Sequence, residues 1–346
     1  MTARPQSGQR LLEVKRLSKS FPIRKGLLRK VTGAVHAVDD VSFEVEAGET
    51  LSLVGESGCG KTTTARCVVG ALDATAGELT YYAENGAAID TRSAAGELRR
   101  RLRRDVQMVF QDPISSLNPR MMVLDIIAEP LLVHGVRNRS ERQDRVAELM
   151  RLVGLRPEYM QRYPHAFSGG QRQRIGIARA IALNPRLVVA DEPVSALDVS
   201  VQAQVVNLLL DLQDQLGISY LFVAHDLSVV KHMSDRVAVM YLGRIVEITD
   251  TVSLYEQPMH PYTEALLSAA PEPDPRSKSR RIMLAGEVPD AANPPTGCHF
   301  HPRCPYAVER CGIEKPSLDA RANGRRVACH RADELNLVGV AEETIA

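Results

Sequence analysis

The sequence predicts an α/β protein built on a parallel β-sheet with helices on both faces. Two nearly continuous apolar segments, "RLVVAD" (186–191) and "SYLFVAH" (219–225), have the composition of buried parallel strands. Predicted helices at 171–183 and 201–217 alternate with these strands, as crossover connections in a parallel sheet require. The 346 residues are enough for one large domain with an additional part.

Composition limits the function classes. The formal net charge is only +1, so a general polyanion binder is not expected. The basic run "RRRLRR" (99–104) has no interleaved aromatic residues and is expected to be a solvated surface, not a nucleic-acid site. The first ten residues lack the apolar core of a signal peptide, and no run of about 18 apolar residues predicts a membrane span. Six cysteines without such a signal favour a reducing cytosol.

The elements before the second α/β stretch can be assigned in order. "LLEVKRLSKSF" (11–21) predicts a strand, followed by a basic excursion at 23–35. A strand, a glycine-rich turn and a helix follow, and "DVQMVFQDP" (105–113) predicts a buried strand with polar residues at its end. Residues 120–165 predict a helical insert, in which Val146, Leu149, Met150 and Val153 have helical spacing. Ser140 and Gln143 match a capping box at the start of that helix.

"GESGCGKT" (55–62) matches the phosphate-binding loop of P-loop NTPases, between a predicted strand and a predicted helix. Its glycines allow successive backbone N–H groups to face a phosphate. Lys61 is expected to neutralise β/γ oxygens, and Thr62 to offer its hydroxyl to Mg²⁺. The alternative is a glycine turn with an incidental lysine. The residues predicted to bind nucleotide here are Gly55, Glu56, Ser57, Gly58, Cys59, Gly60, Lys61, Thr62 and Thr63.

"LVVADEP" (187–193) supports the nucleotide hypothesis independently. Asp191 ends an apolar strand at the carboxyl edge of the sheet, where it can hold Mg²⁺ through water. Glu192 follows at once and is expected to act as the general base or to orient the attacking water, a contribution of about 10²–10⁴-fold. The alternative for two adjacent acids after a strand is a helix cap.

A second pair of glycines, in "SGGQ" (168–171), precedes another helix and also predicts an anion site. Together with the P-loop, this motif resembles the ATPase subunits of ABC transporters. "VFQDP" resembles their Q-loop with Gln111, "SALD" (195–198) the D-loop, and "FVAHD" the switch histidine with His225. Phe21 stands where the family has an adenine-stacking aromatic residue.

The resemblance implies an α/β P-loop NTPase with a RecA-like core, an antiparallel β part, a helical subdomain at about 113–170 and a small C-terminal extension that contains cysteines. It also implies a head-to-tail ATPase dimer. Each ATP then lies between the P-loop of one subunit and the signature motif of the other, here Ser168, Gly169, Gly170 and Gln171. In this interpretation the helix dipole and the Ser168 hydroxyl face ATP bound by the partner.

The same resemblance assigns roles to single residues, and each has an alternative. Gln111 would contact Mg²⁺ and water, or be an ordinary loop amide. His225 would contact the γ-phosphate, or be a satisfied core histidine. In the D-loop, Ser195 and Asp198 would communicate across the dimer, although Asp198 could be a plain helix cap.

Three segments resemble the oligopeptide/dipeptide permease ATPases: 109–121, 255–275 and the cysteine-containing tail. The basic excursion is similar to that of the second ATPase in such importers. The resemblance implies ATP-driven peptide import, with Mg²⁺, a homologous ATPase partner in a heterodimer, two permease subunits and an extracytoplasmic peptide-binding protein. It places the chain peripherally on the cytoplasmic face of the membrane. Alternatives are import of nickel or another small solute and, less favoured, a soluble ABC ATPase or a non-catalytic regulatory one.

The expected domains are an ATPase domain at 11–256 and an extension at 257–335, with flexible ends at 1–10 and 336–346. In the extension, Cys298, Cys304, Cys311 and Cys329 are separated by five, six and seventeen residues, which by itself is a weak metal signal. The resemblance associates this tail with a [4Fe–4S] cluster. Zn²⁺ and free thiols remain the alternatives.

Overall fold

The chain forms parallel and antiparallel strands joined by helices, which confirms the predicted α/β class. The computed structural model describes residues 8–26, 30–269 and 282–340. The strands in these ranges are β1 (Arg10–Lys25), β2 (Lys30–Glu46), β3 (Thr50–Val54), β4 (Ala76–Tyr82), β5 (Ala88–Asp90), β6 (Val106–Val109), β7 (Leu187–Asp191), β8 (Ser219–Ala224), β9 (Arg236–Tyr241), β10 (Arg244–Asp250), β11 (Asp319–Ala320) and β12 (Arg326–Val327). The helices are α1 (Lys61–Val68), α2 (Gly96–Asp105), α3 (Val123–Val133), α4 (Arg139–Leu152), α5 (Gly169–Ala180), α6 (Val199–Leu216), α7 (Leu227–Met233), α8 (Thr251–Glu256), α9 (Pro261–Ser268) and α10 (Glu309–Ile313).

The chain divides into two units. The first unit consists of Met1–Leu12, Glu44–Thr50 and Thr80–Val223. The second unit consists of Glu13–Phe43, Leu51–Leu79 and Ala224–Ala346. The P-loop is therefore part of the second unit, while Asp191, Glu192 and the segment 168–171 are part of the first.

A parallel sheet of β6, β7 and β8 forms the core of the first unit. Val106 pairs with Leu187, and Leu187 pairs with Ser219, so the three strands are in register at their starts. Every residue of β7 and β8 is buried. Because both faces of such strands are covered, their sequences are continuously apolar and do not alternate. The carboxyl end of β7 therefore presents Asp191 and the chain that follows it.

The predicted helical insert of the first unit contains α3 and α4. Val146, Leu149 and Met150 form the buried face of α4, as their spacing predicts. The predicted capping box of Ser140 and Gln143 is wrong. Asn138 is the N-cap, and its side chain accepts hydrogen bonds from the Ser140 and Glu141 backbone N–H groups at 2.9 and 3.4 Å.

In the second unit, β3 pairs in parallel with β9, and the sheet continues in antiparallel fashion from β9 to β10, β12 and β11. A separate sheet contains β1 between β2 and β4. The predicted basic excursion at 23–35 largely belongs to the end of β1 and the start of β2, and its residues 27–29 lie outside the described residues.

The ends and the extension differ in part from the expectation. Residues 1–7, 341–346 and the proline-rich 270–281 lie outside the described residues. Leu337, within the tail expected to be flexible, is buried. The Val338 N–H donates to Glu264 Oε1 at 2.9 Å, and the Val340 N–H donates to the Tyr255 carbonyl at 2.7 Å. Across 8–26, 30–269 and 282–340, none of the helices is both long and apolar enough to cross a membrane.

Candidate functional site

The P-loop follows β3 and curls because three of its glycines have positive φ: Gly55 (151°), Gly58 (80°) and Gly60 (109°). Two of these positions also lack space for a side chain. A Cβ atom at Gly55 would lie 2.1 Å from the Met240 carbonyl oxygen, and one at Gly60 would lie 2.1 Å from the Ala37 carbonyl oxygen. Glycine is therefore required at both positions, for its conformation and for the close approach of the backbone.

Lys61 lies inside this curl at the start of α1. Its Nζ donates to the Gly55 carbonyl at 2.7 Å and to the Glu56 carbonyl at 3.0 Å, and only 4% of the residue is exposed. The ammonium group is thus held against the backbone carbonyls at the start of the loop. Ser57 and Gly58 are exposed at the rim, and Thr62 and Thr63 are half-buried in the first turn of α1.

Cys59 is the buried member of the loop. Burial raises the pKa of its thiol, although the Lys61 charge opposes this shift. The Gly243 N–H donates to the Cys59 carbonyl at 2.9 Å, so the turn between β9 and β10 supports the loop from one side.

Glu56 is fixed by two residues that the sequence analysis missed, Tyr262 and Arg303. The Glu56 backbone N–H donates to the Tyr262 hydroxyl at 2.8 Å. Two guanidinium nitrogens of Arg303 donate to the two carboxylate oxygens, at 2.8 and 3.1 Å. This bidentate hydrogen bonding raises the pKa of the Arg303 guanidinium, so the pair is ionic. No local signal predicts these contacts, because the partners are 206 and 247 residues apart.

The acidic residues of the first unit follow β7. Asp191 is its last residue and is buried. Glu192 has a left-handed backbone conformation with φ 45°, which costs a non-glycine residue about 1–2 kcal/mol. The conformation is held by a hydrogen bond from the Glu192 N–H to the Val223 carbonyl at 3.0 Å, next to the end of β8.

Gln111 and Glu192 are brought together in the first unit. The Gln111 Nε2 donates to Glu192 Oε2 at 2.8 Å, although the residues are 81 positions apart. Ser195 caps the left-handed turn at Glu192: its backbone N–H and hydroxyl donate to the Glu192 carbonyl at 3.3 and 3.1 Å. The carboxylate is thus oriented by an amide on one side and by its own fixed backbone on the other.

The signature segment begins α5 with a capping box. The Gln171 N–H donates to Ser168 Oγ at 3.3 Å, and the Ser168 N–H donates to Gln171 Oε1 at 3.1 Å. Ser168 and Gly169 are exposed, so the N-terminus of α5 faces outward. A Cβ atom at Gly170 would lie 2.5 Å from Val201 Cγ1, and this close contact explains the second glycine. The Ser168–Gln171 spacing is a capping-box signal that the sequence analysis did not use.

The remaining predicted residues, His225, Asp198 and Phe21, are exposed. His225 follows β8 and is exposed, so the alternative of a core histidine is wrong. Asp198 occupies the N-cap position of α6, but in the described part of the chain its carboxylate makes no capping hydrogen bond. Phe21 is 38% exposed on β1, with Lys19 Nζ 5.1 Å from its ring centroid.

The four extension cysteines line one small cavity together with His260, His301 and His330. Burial raises the pKa of Cys304 to about 12 and that of Cys329 to about 11, and neighbouring cysteines add to both shifts. The donor set is that of a thiolate metal centre. Across the described residues, however, no three His, Cys, Asp or Glu side chains have the arrangement of a preformed metal site.

The amino-acid sequence matches two family models. One, described as "ABC transporter", matches residues 38–195, and the other, "Oligopeptide/dipeptide transporter, C-terminal region", matches residues 246–311. The chain is 53% identical over 320 residues to the probable peptide ABC transporter ATP-binding protein y4tS of Sinorhizobium fredii, covering 92% of this chain and 89% of that protein. It is 50% identical to the oligopeptide transport ATP-binding protein AppF of Bacillus subtilis, covering 95% and 99%. It is 51% identical to the di/tripeptide transport ATP-binding protein DppF of Pseudomonas aeruginosa, covering 94% and 98%.

Solved structures with a similar fold are ATP-binding cassettes. The dimeric post-hydrolysis structure of the cassette MJ0796 bound to ADP and Pi has a TM-score of 0.60 and 28% identity, covering 70% of this chain and 99% of that one. A second dimeric structure of MJ0796 has a TM-score of 0.59, with the same identity and coverage.

Proposed function

Because the chain belongs to the family of ATP-binding subunits of oligopeptide and dipeptide ABC transporters, we propose that it hydrolyses ATP to drive peptide import. ATP binding and hydrolysis are properties of this family. The names of its relatives indicate transport of oligopeptides and of di- and tripeptides. In the proposed function this transport is import through separate permease subunits. Such a chain works peripherally, on the cytoplasmic face of the membrane.

The observation that carries the proposal is the curled P-loop with Lys61 buried inside it. In the proposed function the loop N–H groups of Gly55–Thr62 bind the β-phosphate, and Lys61 exchanges its carbonyl partners for β/γ oxygens. Thr62, Gln111 and Asp191 are assigned to Mg²⁺, which when bound neutralises charge on the phosphates. Phe21 is assigned to adenine stacking, which its partial exposure permits.

Glu192 is proposed as the general base of hydrolysis. Its carboxylate accepts a hydrogen bond from Gln111. Its left-handed backbone conformation ends the extended conformation of β7. It would take a proton from the water that attacks the γ-phosphorus, while His225 contacts the γ-phosphate and the bond to the β-phosphate oxygen breaks. The proton is then on the Glu192 carboxylate, and the leaving group is ADP, whose β-phosphate keeps the oxygen of the broken bond.

The second anion site is proposed to serve a partner subunit. Ser168, Gly169, Gly170 and Gln171 begin a helix whose N-terminus is exposed and already capped, so its dipole faces outward. A homologous ATPase, in a heterodimer, would supply the ATP that this segment covers, and the D-loop residues Ser195 and Asp198 would lie along the same contact. The dimeric cassette MJ0796 is the structural precedent.

A Lys61→Ala variant tests the nucleotide site. It should lose binding of a fluorescent ATP analogue and phosphate release, because the loop then lacks its positive charge. Lys231→Ala, at an exposed lysine on α7, is the matched control and should behave as wild type. Wild-type ATP affinity in Lys61→Ala would overturn the proposal.

Cargo is tested in the assembled transporter. The chain, its partner ATPase, the two permeases and the extracytoplasmic binding protein are reconstituted in vesicles, and ATP-dependent uptake of a labelled tripeptide is compared with that of Ni²⁺. Tripeptide uptake supports peptide import, whereas exclusive Ni²⁺ uptake would reassign the cargo. ATP hydrolysis that does not depend on the permeases would favour a soluble ABC ATPase.

For the extension, we propose a metal centre on Cys298, Cys304, Cys311 and Cys329, with [4Fe–4S] as first candidate and Zn²⁺ as the alternative. What supports it is that all four thiols line one cavity. Binding would have to displace their protons, and the centre would stabilise a loop-rich segment. Iron, sulfide and zinc are measured in anaerobically purified protein, with Cys67→Ser as the control variant. Absence of all three would leave free thiols as the assignment.

A further inference from the structure

All three polar groups of Glu56 in the P-loop have partners. Its N–H donates to the Tyr262 hydroxyl at 2.8 Å, its carbonyl accepts from Lys61 Nζ at 3.0 Å, and its carboxylate accepts two hydrogen bonds from Arg303 at 2.8 and 3.1 Å. Its carbonyl also accepts from the Cys59 N–H at 3.3 Å. Lys61 and Cys59 belong to the loop itself, but Tyr262 and Arg303 belong to the C-terminal extension.

Arg303 is held rigidly by the part of the extension that surrounds it. It ends the 3₁₀ turn His301–Arg303 and is only 8% exposed. Phe300, just before the turn, packs edge-on against Tyr241 with ring centroids 5.2 Å apart, and it packs against Tyr262 at 5.4 Å. Tyr241 and Tyr262 contact each other at 4.6 Å. The guanidinium and the Tyr262 hydroxyl therefore project from one packed aromatic cluster, and little side-chain entropy remains to be lost when they bind Glu56.

We propose that Arg303 and Tyr262 are positioning residues for ATP binding: the C-terminal extension fixes the Glu56 peptide and through it the phosphate-facing N–H groups of the P-loop. The inference rests on the proposed nucleotide site. Glu56 is the second residue after β3, at the start of the loop, so the orientation of its peptide determines the direction of the N–H groups that follow. A bidentate arginine sets this orientation more firmly than a point charge does.

Positioning of the loop and simple stabilisation of the fold have different measurable consequences. A positioning role predicts weaker ATP binding and a higher KM for ATP, with a smaller change in kcat, because Arg303 lies outside the set assigned to hydrolysis. A purely structural role predicts a lower unfolding midpoint with unchanged ATP affinity in the protein that remains folded.

Three variants probe the contact. Arg303→Met keeps the side-chain length and removes the charge. Arg303→Lys keeps the charge and removes the bidentate guanidinium. Tyr262→Phe keeps the ring and removes the hydroxyl. Arg310→Met is the matched control, because Arg310 belongs to the same extension and makes an exposed ion pair with Glu314. The dissociation constant of a fluorescent ATP analogue and the thermal midpoint are measured for each, with Lys61→Ala alongside.

Arg303→Met is expected to weaken ATP binding about tenfold, Arg303→Lys less, and Arg310→Met not at all. The losses of ATP affinity in Glu56→Gln and Arg303→Met should be less than additive in the double variant, because both substitutions remove the same Arg303–Glu56 contact. Wild-type affinity in Arg303→Met, with Lys61→Ala inactive, would overturn the inference and leave the nucleotide site standing. Wild-type affinity in Lys61→Ala would overturn the proposed site itself. If Arg303→Met does not fold, Tyr262→Phe decides by the same measurement: a loss of affinity supports the inference and wild-type affinity overturns it.

Discussion

Replacing Gly60 by alanine should destabilise the protein far more than the same change at Gly58. Both residues belong to the P-loop and both have positive φ, 109° and 80°. They differ in the space available. A Cβ atom at Gly58 meets nothing within 4 Å, whereas one at Gly60 would lie 2.1 Å from the Ala37 carbonyl oxygen and 2.7 Å from Met240 Cε.

The size of the difference follows from these distances. Alanine in a left-handed conformation costs about 1–2 kcal/mol, and the lower entropy of the unfolded chain returns about 0.4–1 kcal/mol, so Gly58→Ala should cost about 1 kcal/mol. Gly60→Ala has the same terms plus an overlap with a backbone oxygen, which cannot rotate away as a side chain can. Overpacking of this kind adds about 1–3 kcal/mol. We therefore expect Gly60→Ala to be about 2 kcal/mol less stable than Gly58→Ala.

Urea unfolding of both variants measures the difference directly. For Gly60→Ala, affinity for a fluorescent ATP analogue should fall as well, because moving Gly60 away from Ala37 also moves Lys61. Equal unfolding free energies in the two variants would refute the claim that Gly60 has to be glycine because of the close backbone approach and not because of its φ alone.

Three further predictions concern other parts of the molecule. Glu192→Gln should bind ATP but release phosphate about 10²–10⁴-fold more slowly, and a rate within twofold of wild type would show that the base is misassigned. Gly170→Ala should lower the unfolding free energy by about 1 kcal/mol, because its Cβ would lie 2.5 Å from Val201 Cγ1; an unchanged value in urea unfolding would contradict this contact. Cys59 and Cys67 should react with iodoacetamide at pH 7.5 much more slowly than free cysteine, because burial raises the pKa of both thiols and lowers the thiolate fraction; a mass-spectrometric rate equal to that of free cysteine would contradict it.

The parts of the site that the sequence predicted are those encoded within a few consecutive residues. The P-loop needs three glycines and a lysine within eight positions, and the two acids need only the end of an apolar strand. In both cases backbone geometry follows from neighbouring residues, so the curl around Lys61 and the placement of Asp191 were predictable. The starts of helices were less predictable. "RNRSERQ" contains two possible N-caps, Asn138 and Ser140, and in the structure α4 is capped by Asn138.

Contacts between distant segments could not be predicted in this way. The Gln111–Glu192 hydrogen bond joins residues 81 apart, and no local pattern predicts it. The partners of Glu56 had no such support. Nothing in "HPRCPY" predicts the ion pair of Arg303 with Glu56, which depends on the packing of Phe300, Tyr241 and Tyr262.

The Glu56 contacts also bear on why an ATPase subunit carries this extension at all. A P-loop has to hold several N–H groups in one orientation, and its glycines make that orientation costly in backbone entropy. The Arg303 pair and the Tyr262 hydroxyl constrain the first peptide of the loop from outside it, so part of this entropy is lost during folding and not during ATP binding. A change that loosens the segment around Arg303 would then weaken ATP binding without touching the P-loop sequence. Because Cys304 directly follows Arg303, a chemical change at this thiol would act next to the residue that holds Glu56.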